Sequence, residues 1–508
     1  MCCPSILWER VPSALRTSAP DILGDLNLDQ VLAEIVAGRE QYGLLPYFYT
    51  LLETADEVSY RHAVFKDLAD SAVAEGIQAF SRGMQTVREY GQKSEKVPYR
   101  RQREAWFLDA VGLYCDTVLA LEQTLALGRI EARALLRMGD YVHDYVTSQG
   151  FAPMQHAWTA LKADLGSIAY CLTLQGSSIE VGHKCDPRDY AEDLAALFSK
   201  FGVAPANPES TAHQLEPLEM NHVEAAILDR VAELYPEPFG RLRDYCGRYA
   251  DYIDPGVRQL DRELQFYLAY QEHSETLKSH GLEVCYPQIA THDQAKWARS
   301  TYDVALAQKL LESHQPLVTN DFRLDKGESI LVVTGPNQGG KTTFARGIGQ
   351  LHFLAALGLP VPGQEVQVPL CDQIFTHFEH EEDVGRGQGK LQDELERMFD
   401  ILARASSASL IIMNESFNAT TLHDALLLST EIVDRIIELD ALAVVVTFLD
   451  ELASYHGKTV SMVAGIDPQT GERTYKVSRE PASGMAYALS LAERHGLTYG
   501  QIKERLRP

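Results

Sequence analysis

The sequence predicts a two-part protein, a helical front half followed by an α/β rear half with a mostly parallel sheet, and three observations carry that prediction. Apolar residues recur at helical spacing through most of the first 280 positions. After Tyr286-Pro287, short β-rich runs alternate with helical stretches. One of those runs leads straight into a glycine-rich loop that ends in Gly-Lys-Thr. Nearly continuous apolar strands separated by helices are the mark of a buried parallel sheet.

The elements follow in order. Leu28, Val31, Leu32 and Ile35 share one helical face, and Gly43 and Pro46 separate that helix from the next. Leu113, Val118, Leu119, Leu121 and Leu125 mark a longer helix. Between Ser167 and Val181 the period changes, and Ile168–Leu174, the turn Gly176-Ser177-Ser178 and Ile179–Val181 read as a hairpin. Pro205, Pro208 and Pro217 mark a loop region. Helical pattern returns from about Asn221 to His280, with Leu260, Leu264 and Tyr267 on one stripe. The rear half then offers strands at Ser329–Thr334, Ser409–Met413 and Ala441–Phe448.

At 508 residues the chain is too long for one core, so two or three domains are expected. No run of about 18 apolar residues appears, which argues against a membrane span. Met1-Cys2-Cys3-Pro4 lacks the charged start and apolar stretch of a secretory signal. The eight cysteines are scattered without a C-x-x-C pair, a pattern that suits reduced thiols in a cytoplasmic protein. A net charge of −25 opposes non-specific attraction to phosphate polymers. A local basic surface can still exist: Lys93, Lys96, Arg100, Arg101 and Arg103 surround Tyr99 and Trp106, with a solvated helix flank as the plain alternative.

The loop carries the chemistry. Strand Ser329–Thr334 runs into Gly335-Pro336-Asn337-Gln338-Gly339-Gly340-Lys341-Thr342-Thr343, which opens a helix. Gly335, Gly339 and Gly340 let the backbone bend and turn its N–H groups onto phosphates. The helix N-terminus adds donors and a positive dipole. Lys341 supplies charge for the β and γ phosphates, and the Thr342 hydroxyl is placed to ligate Mg²⁺. A P-loop binding ATP and Mg is the expectation. In Leu410-Ile411-Ile412-Met413-Asn414-Glu415, Glu415 stands one residue past a buried strand end and is the candidate for polarising an attacking water. Asn414 stands where a carboxylate steadies the magnesium shell through water. It brings no negative charge, so weaker Mg²⁺ retention and slow turnover are expected.

These residues resemble the MutS family of DNA mismatch repair ATPases. That family's loop reads TGPNMGGKST, against Thr334-Gly335-Pro336-Asn337-Gln338-Gly339-Gly340-Lys341-Thr342-Thr343 here. Asp372-Gln373-Ile374-Phe375-Thr376 resembles its D-x-IFTR strand, and Glu382-Asp383 its acidic pair. Thr420-Thr421 with Asp424 falls on its GRGTST-x-DG segment, and Ser483–Leu489 through Arg505 resembles its C-terminal helices. Arg61–Val64 and Phe266–Ala269 resemble parts of its helical core and lever. The resemblance implies an N-terminal tail at 1–27, a helical core at 28–150 and a shortened clamp-like insertion at 151–235. It further implies lever helices at 236–290 and an ABC-type P-loop ATPase domain at 291–508. It also implies a homodimer through the ATPase domains and contact with double-stranded DNA.

Departures qualify that reading. The acidic-strand Asp is Asn414, and the serine that reaches the partner subunit's γ-phosphate falls on Gly389, beside Lys390, whose charge would replace part of that contact. The family's THY histidine falls on Phe448, and its adenine-stacking aromatic on Leu317. Only positions 1–27 precede the expected core, leaving no room for mismatch-reading and connector domains. Two functions therefore stand: an ATP-dependent DNA-binding dimer with slow hydrolysis, or a nucleotide-gated protein-interaction switch with little DNA contact. A small-molecule kinase would leave the helical half unexplained. His377 and His380 fit no closed zinc pattern and read as a surface loop. Asp393, Glu394, Glu396 and Asp400 lie on an amphipathic helix, and Glu394 matches a family glutamate.

Overall fold

The computed structural model describes residues 3–176, 178–183, 220–291, 293–313, 315–379, 389–467, 470, 472–482 and 497–505. The chain forms two compact units, one of residues 1–4, 67–131 and 135–261, the other of 5–66, 132–134 and 262–508. These units run across the domain boundaries read from the sequence.

The first unit is built on two long antiparallel helices, Ser71–Lys96 and Arg100–Leu127. The first starts where the Asp70 side chain accepts from Ala72 N and Val73 N, an N-cap. It ends before Pro98, as helices do. Val73, Ile77, Phe80, Met84 and Val87 are its buried stripe. Glycines let the partner close in: a Cβ on Gly76 would lie 2.3 Å from the Thr124 side chain, and one on Gly83 2.5 Å from that of Thr117. Arg100–Leu127 is also, by length and composition, apolar enough to cross a membrane, but half of its apolar window is buried inside the protein.

The expected hairpin is present as Tyr170–Gln175 paired antiparallel with Ser178–His183. Cys171 on it is disulfide-bonded, contrary to the all-thiol expectation. The expected helical stretch from Asn221 is divided into His222–Leu234, Pro236–Arg248 and Pro255–Ser279, because proline fits the first turn of a helix but not its interior. Pro205, Pro208 and Pro217 lie outside the described residues.

The second unit holds, among the described residues, a six-stranded sheet in the order Ile374–Phe378, Leu410–Asn414, Leu442–Val446, Ile330–Thr334, Thr459–Ile466, Arg473–Arg479. The first five are parallel and the last antiparallel. The mostly parallel expectation thus holds for this sheet. A second sheet, formed by Gln288–Ile289, Glu365–Val368, Lys296–Thr301 and Asn320–Leu324, pairs antiparallel except at its first edge.

The front of the chain is buried in this unit rather than trailing from it. Ile6, Leu7 and Trp8 are buried, and Ser5 Oγ and Ile6 N donate to the Glu263 carboxylate at 2.9 and 2.7 Å. Arg61, wholly buried, donates to Leu7 O at 3.0 Å and Leu357 O at 2.7 Å, and its guanidinium lies over Trp8.

Candidate functional site

Strand Ile330–Thr334 is buried along its whole length between Leu442–Val446 and Thr459–Ile466. The chain leaves it through Gly335 at φ 120° and enters helix Lys341–Ala356 after Gly340 at φ 94°. L side chains rarely adopt either conformation. A Cβ on Gly335 would come 3.0 Å from Ala464, and one on Gly339 2.9 Å from Pro336 O. Only bare backbone fits, so the loop forms a cradle at a helix N-terminus, the arrangement that receives anions.

The mouth of this cradle is a cavity of about 460 Å³ lined by Gln338, Gly340, Lys341, Thr342, Thr343 and Glu415 together with Leu306, Leu310, Pro316, Leu317 and Tyr475. Gly335, Pro336, Asn337 and Gly339 make the turn itself and do not line it. Gln338 sits at φ 59° and accepts a hydrogen bond at 3.0 Å from Arg473 Nη1. Of the site residues expected from the sequence, Gln338, Gly340, Lys341, Thr342, Thr343 and Glu415 thus share one cavity.

Lys341 is 3% exposed. Its Nζ donates to Gly335 O at 2.8 Å, lies 3.8 Å from Glu415 Oε1, and sits 4.2 Å from the centre of the Phe448 ring. Burial pulls its pKa down, and Glu415 and Asp450 oppose that pull. The Thr342 hydroxyl donates to Asn414 Oδ1 at 2.8 Å. That pair fits a magnesium ion. The hydroxyl oxygen keeps free lone pairs for the metal while its hydrogen is held by the amide. Among the described residues no group of three or more His, Cys, Asp or Glu side chains is placed to hold a metal ion.

Glu415 follows the strand end, donates its N–H to Val446 O at 2.9 Å and takes φ 53°. Phe417 takes φ 63°. Two left-handed residues without glycine are strained by roughly 1–3 kcal/mol each, and they persist only when their surroundings hold them. Glu394 holds Phe417, accepting its N–H at 2.7 Å. His377 Nδ1 hydrogen-bonds Ser416 Oγ at 2.8 Å, and Nε2 donates to Glu394 O at 3.1 Å. Burial raises the Glu394 pKa. The reading of His377 as part of a surface loop is corrected: it lies on strand Ile374–Phe378 and is 1% exposed. The strand is buried on both faces, and its apolar neighbours Ile374, Phe375 and Phe378 could have signalled this. His380 lies outside the described residues, as do Glu382-Asp383, 385–388 and 483–489.

Lys390 forms an ion pair with Glu379. In the basic cluster, Arg100 and Arg101 both bind Glu104 at 2.9 Å, and Lys93 lies 5.1 Å from the Trp106 ring centre. Three participants escaped sequence reasoning: Arg473, Tyr475 and the Phe448 ring as a neighbour of Lys341. Their signals are tertiary, since no local spacing ties strand Arg473–Arg479 to the loop.

Residues 331–499 match the family MutS domain V. The DNA mismatch repair protein MutS of Chlorobium phaeobacteroides is 30% identical over 142 residues, 28% of this chain and 16% of the relative. That of Chlorobium limicola is 26% identical over 219 residues, 42% of this chain and 25% of the relative. That of Clostridium novyi is 32% identical over 145 residues, 28% of this chain and 16% of the relative. The matched stretch thus spans a quarter or less of each of these relatives.

Proposed function

We propose that this chain, whose residues 331–499 match the family MutS domain V, is a MutS-like ATP-binding protein whose nucleotide state controls its engagement of double-stranded DNA. The observation that carries this is the glycine cradle with Lys341 and Thr342 at its rim and Glu415 beside them. ATP with Mg²⁺ is the cofactor pair that the donor set fits, and the metal supplies charge neutralisation at the phosphates. Lys341, now on Gly335 O and Glu415, would turn to the phosphate oxygens when ATP is bound. Thr342 and the Asn414 amide, already joined by a hydrogen bond, would hold the metal and its water shell. Glu415, released from the ammonium and braced from behind by Glu394 and His377, orients a water. Hydrolysis is slow because Asn414 is uncharged. The protein works in the cytoplasm as a homodimer through its ATPase domains.

The test is duplex binding by fluorescence anisotropy across a salt series, with and without ATP and Mg²⁺, in wild type and Lys341→Ala. Affinity that falls with salt and shifts with nucleotide only in wild type is expected. Nucleotide binding without salt-dependent duplex affinity would instead establish a nucleotide-gated protein-interaction switch. The Glu104 pairing of Arg100 and Arg101 favours that second outcome at this one surface.

A further inference from the structure

A second cavity, of about 700 Å³, shares three strands with the cavity at the cradle. Thr301, Asn320 and Tyr475 line the first, and their chain neighbours Ser300, Asp321 and Lys476 line the second. Successive side chains of a strand leave on opposite faces, so the two cavities are distinct. Ser300 at φ 52° and Tyr475 at φ 57° are left-handed, which persists in non-glycine residues only where surroundings hold it. Asp321 Oδ1 accepts from Ser300 N at 2.7 Å. Asn320 Nδ2 donates to Tyr475 O at 3.2 Å, and its Oδ1 accepts from Val477 N at 2.7 Å. Asn320-Asp321 therefore fixes both turns and the wall between the cavities.

The second cavity is basic. Arg299, Arg323, Lys476 and Arg479 line it, against Asp321 as the single acid of its lining, in a chain of net charge −25. Arg479 is taken up by Glu328, to which it donates at 2.6 and 3.1 Å. Lys476 Nζ donates to Thr319 O at 2.7 Å and lies 3.7 Å from Asp321 Oδ2. Arg299 and Arg323 are used less fully. Nη1 of Arg299 donates to Glu365 at 2.8 Å, and Nε of Arg323 to Asp325 at 2.7 Å. Each guanidinium, with five N–H donors, thus meets its acid through one nitrogen. Both acids stand outside the cavity lining, and both pairs are exposed, where such pairs contribute little. Trp297 stands opposite Arg323 in the sheet register, and the Arg299 guanidinium lies 5.6 Å from the Trp297 ring centre. Two incompletely used forks therefore come from neighbouring positions of one sheet.

We infer that this cavity is a second anion site, for a small molecule carrying a chain of phosphate groups, with Arg299, Arg323 and Lys476 as its binding residues. Guanidinium forks match phosphate oxygens in pairs, and an ammonium adds a point charge. The volume is that of a small-molecule site. The phosphate chain displaces Glu365 and Asp325, whose hold on the arginines is weak in water. The site stands independently of the nucleotide reading of the glycine cradle.

The experiment is calorimetric titration of the full chain with inorganic tripolyphosphate and, separately, with ATP, each with Mg²⁺. Wild type is expected to bind two equivalents of tripolyphosphate, one of which survives in Lys341→Ala. The double variant Arg299→Gln, Arg323→Gln should weaken that surviving equivalent at least about 100-fold and keep the other, which also shows that it is folded. Glu365→Gln removes the acid that competes for Arg299 and should tighten the same equivalent several-fold, a gain that a merely structural ion pair would not give. ATP held there as tightly as tripolyphosphate identifies the phosphate chain itself as the ligand, and ATP held more tightly identifies a nucleotide. Absence of a Lys341-independent equivalent from wild type, or its indifference to the double variant, would overturn the second site and leave the cradle reading intact. If the only equivalent is the one that the double variant loses, the cradle reading falls and the second site stands.

Discussion

On the proposed ATP-binding reading, Asn414 would set how firmly magnesium is kept. Its Oδ1 already holds the Thr342 hydroxyl, so the position is structurally sound, and what is missing is charge. Charge-assisted hydrogen bonds are roughly twice as strong as neutral ones. Asn414→Asp is therefore expected to lower the magnesium concentration for half-maximal ATP turnover by about tenfold. Superimposable magnesium curves for the two proteins would refute this. A second residue-scale test concerns the brace behind Glu415. Glu394→Ala removes the acceptor for Phe417 N and frees a strained loop, so turnover should fall at least about tenfold while ATP affinity stays within about twofold. Glu394→Gln, which keeps an acceptor, should recover most of the rate. Equal behaviour of the alanine and glutamine variants would sink the bracing role. At this scale the sequence was partly legible. The tight loop at Gly335, Gly339 and Gly340 and the helix start at Lys341 are legible from spacing. The left-handed turns at Glu415, Phe417 and Tyr475 carry no glycine and are imposed by distant partners, so nothing local marks them.

The paired helices Ser71–Lys96 and Arg100–Leu127 show how an element can be legible while its packing is not. Apolar spacing gives the helices. Which helix meets which depends on Gly76 and Gly83, seven residues apart, facing Thr124 and Thr117, again seven apart. That repeat is the seam of a close helix pair, and in a sequence without pairing information it reads as two ordinary glycines. Replacing glycine by alanine inside a helix ordinarily gains up to about 1 kcal/mol. Here the sign should reverse at the seam, because the stiff threonine side chains have to move. Gly76→Ala and Gly83→Ala are expected to lower the urea midpoint, and Gly91→Ala, with nothing within 4 Å of its Cβ, to raise it. Three midpoints moving in the same direction would show that the seam is not close-packed.

For the molecule as a whole, acid should be more damaging than the composition implies. His62, His273 and His352 are buried in the second unit, and burial lowers each to a pKa of about 4 from 6.5. The unfolded chain binds these protons below pH 6.5 and the folded chain does not until about pH 4. Stability from these groups is therefore complete above pH 6.5 and is lost as pH falls through that window. Three such groups steepen the loss to at most about 4 kcal/mol per pH unit. Urea melts at pH 7.5 and pH 5.5 check this, and identical midpoints would contradict it. His62→Gln should soften the dependence. The division into a helical and an α/β half was legible from periodicity, and so was the parallel sheet. The two compact units were not, because they are assembled from segments far apart in the chain.

Ser5 to Trp8 illustrate the consequence of such assembly. Their resting place includes Glu263 and Tyr267, whose hydroxyl donates to Ile6 O at 2.6 Å. During synthesis Ile6, Leu7 and Trp8 leave the ribosome long before the helix that will cover them has been translated. At about 5–20 residues per second, that gap lasts roughly 10–50 s. Through that interval Ile6, Leu7 and Trp8 are open to chaperones and to neighbouring nascent chains, and a pause upstream of codon 263 would prolong the exposure.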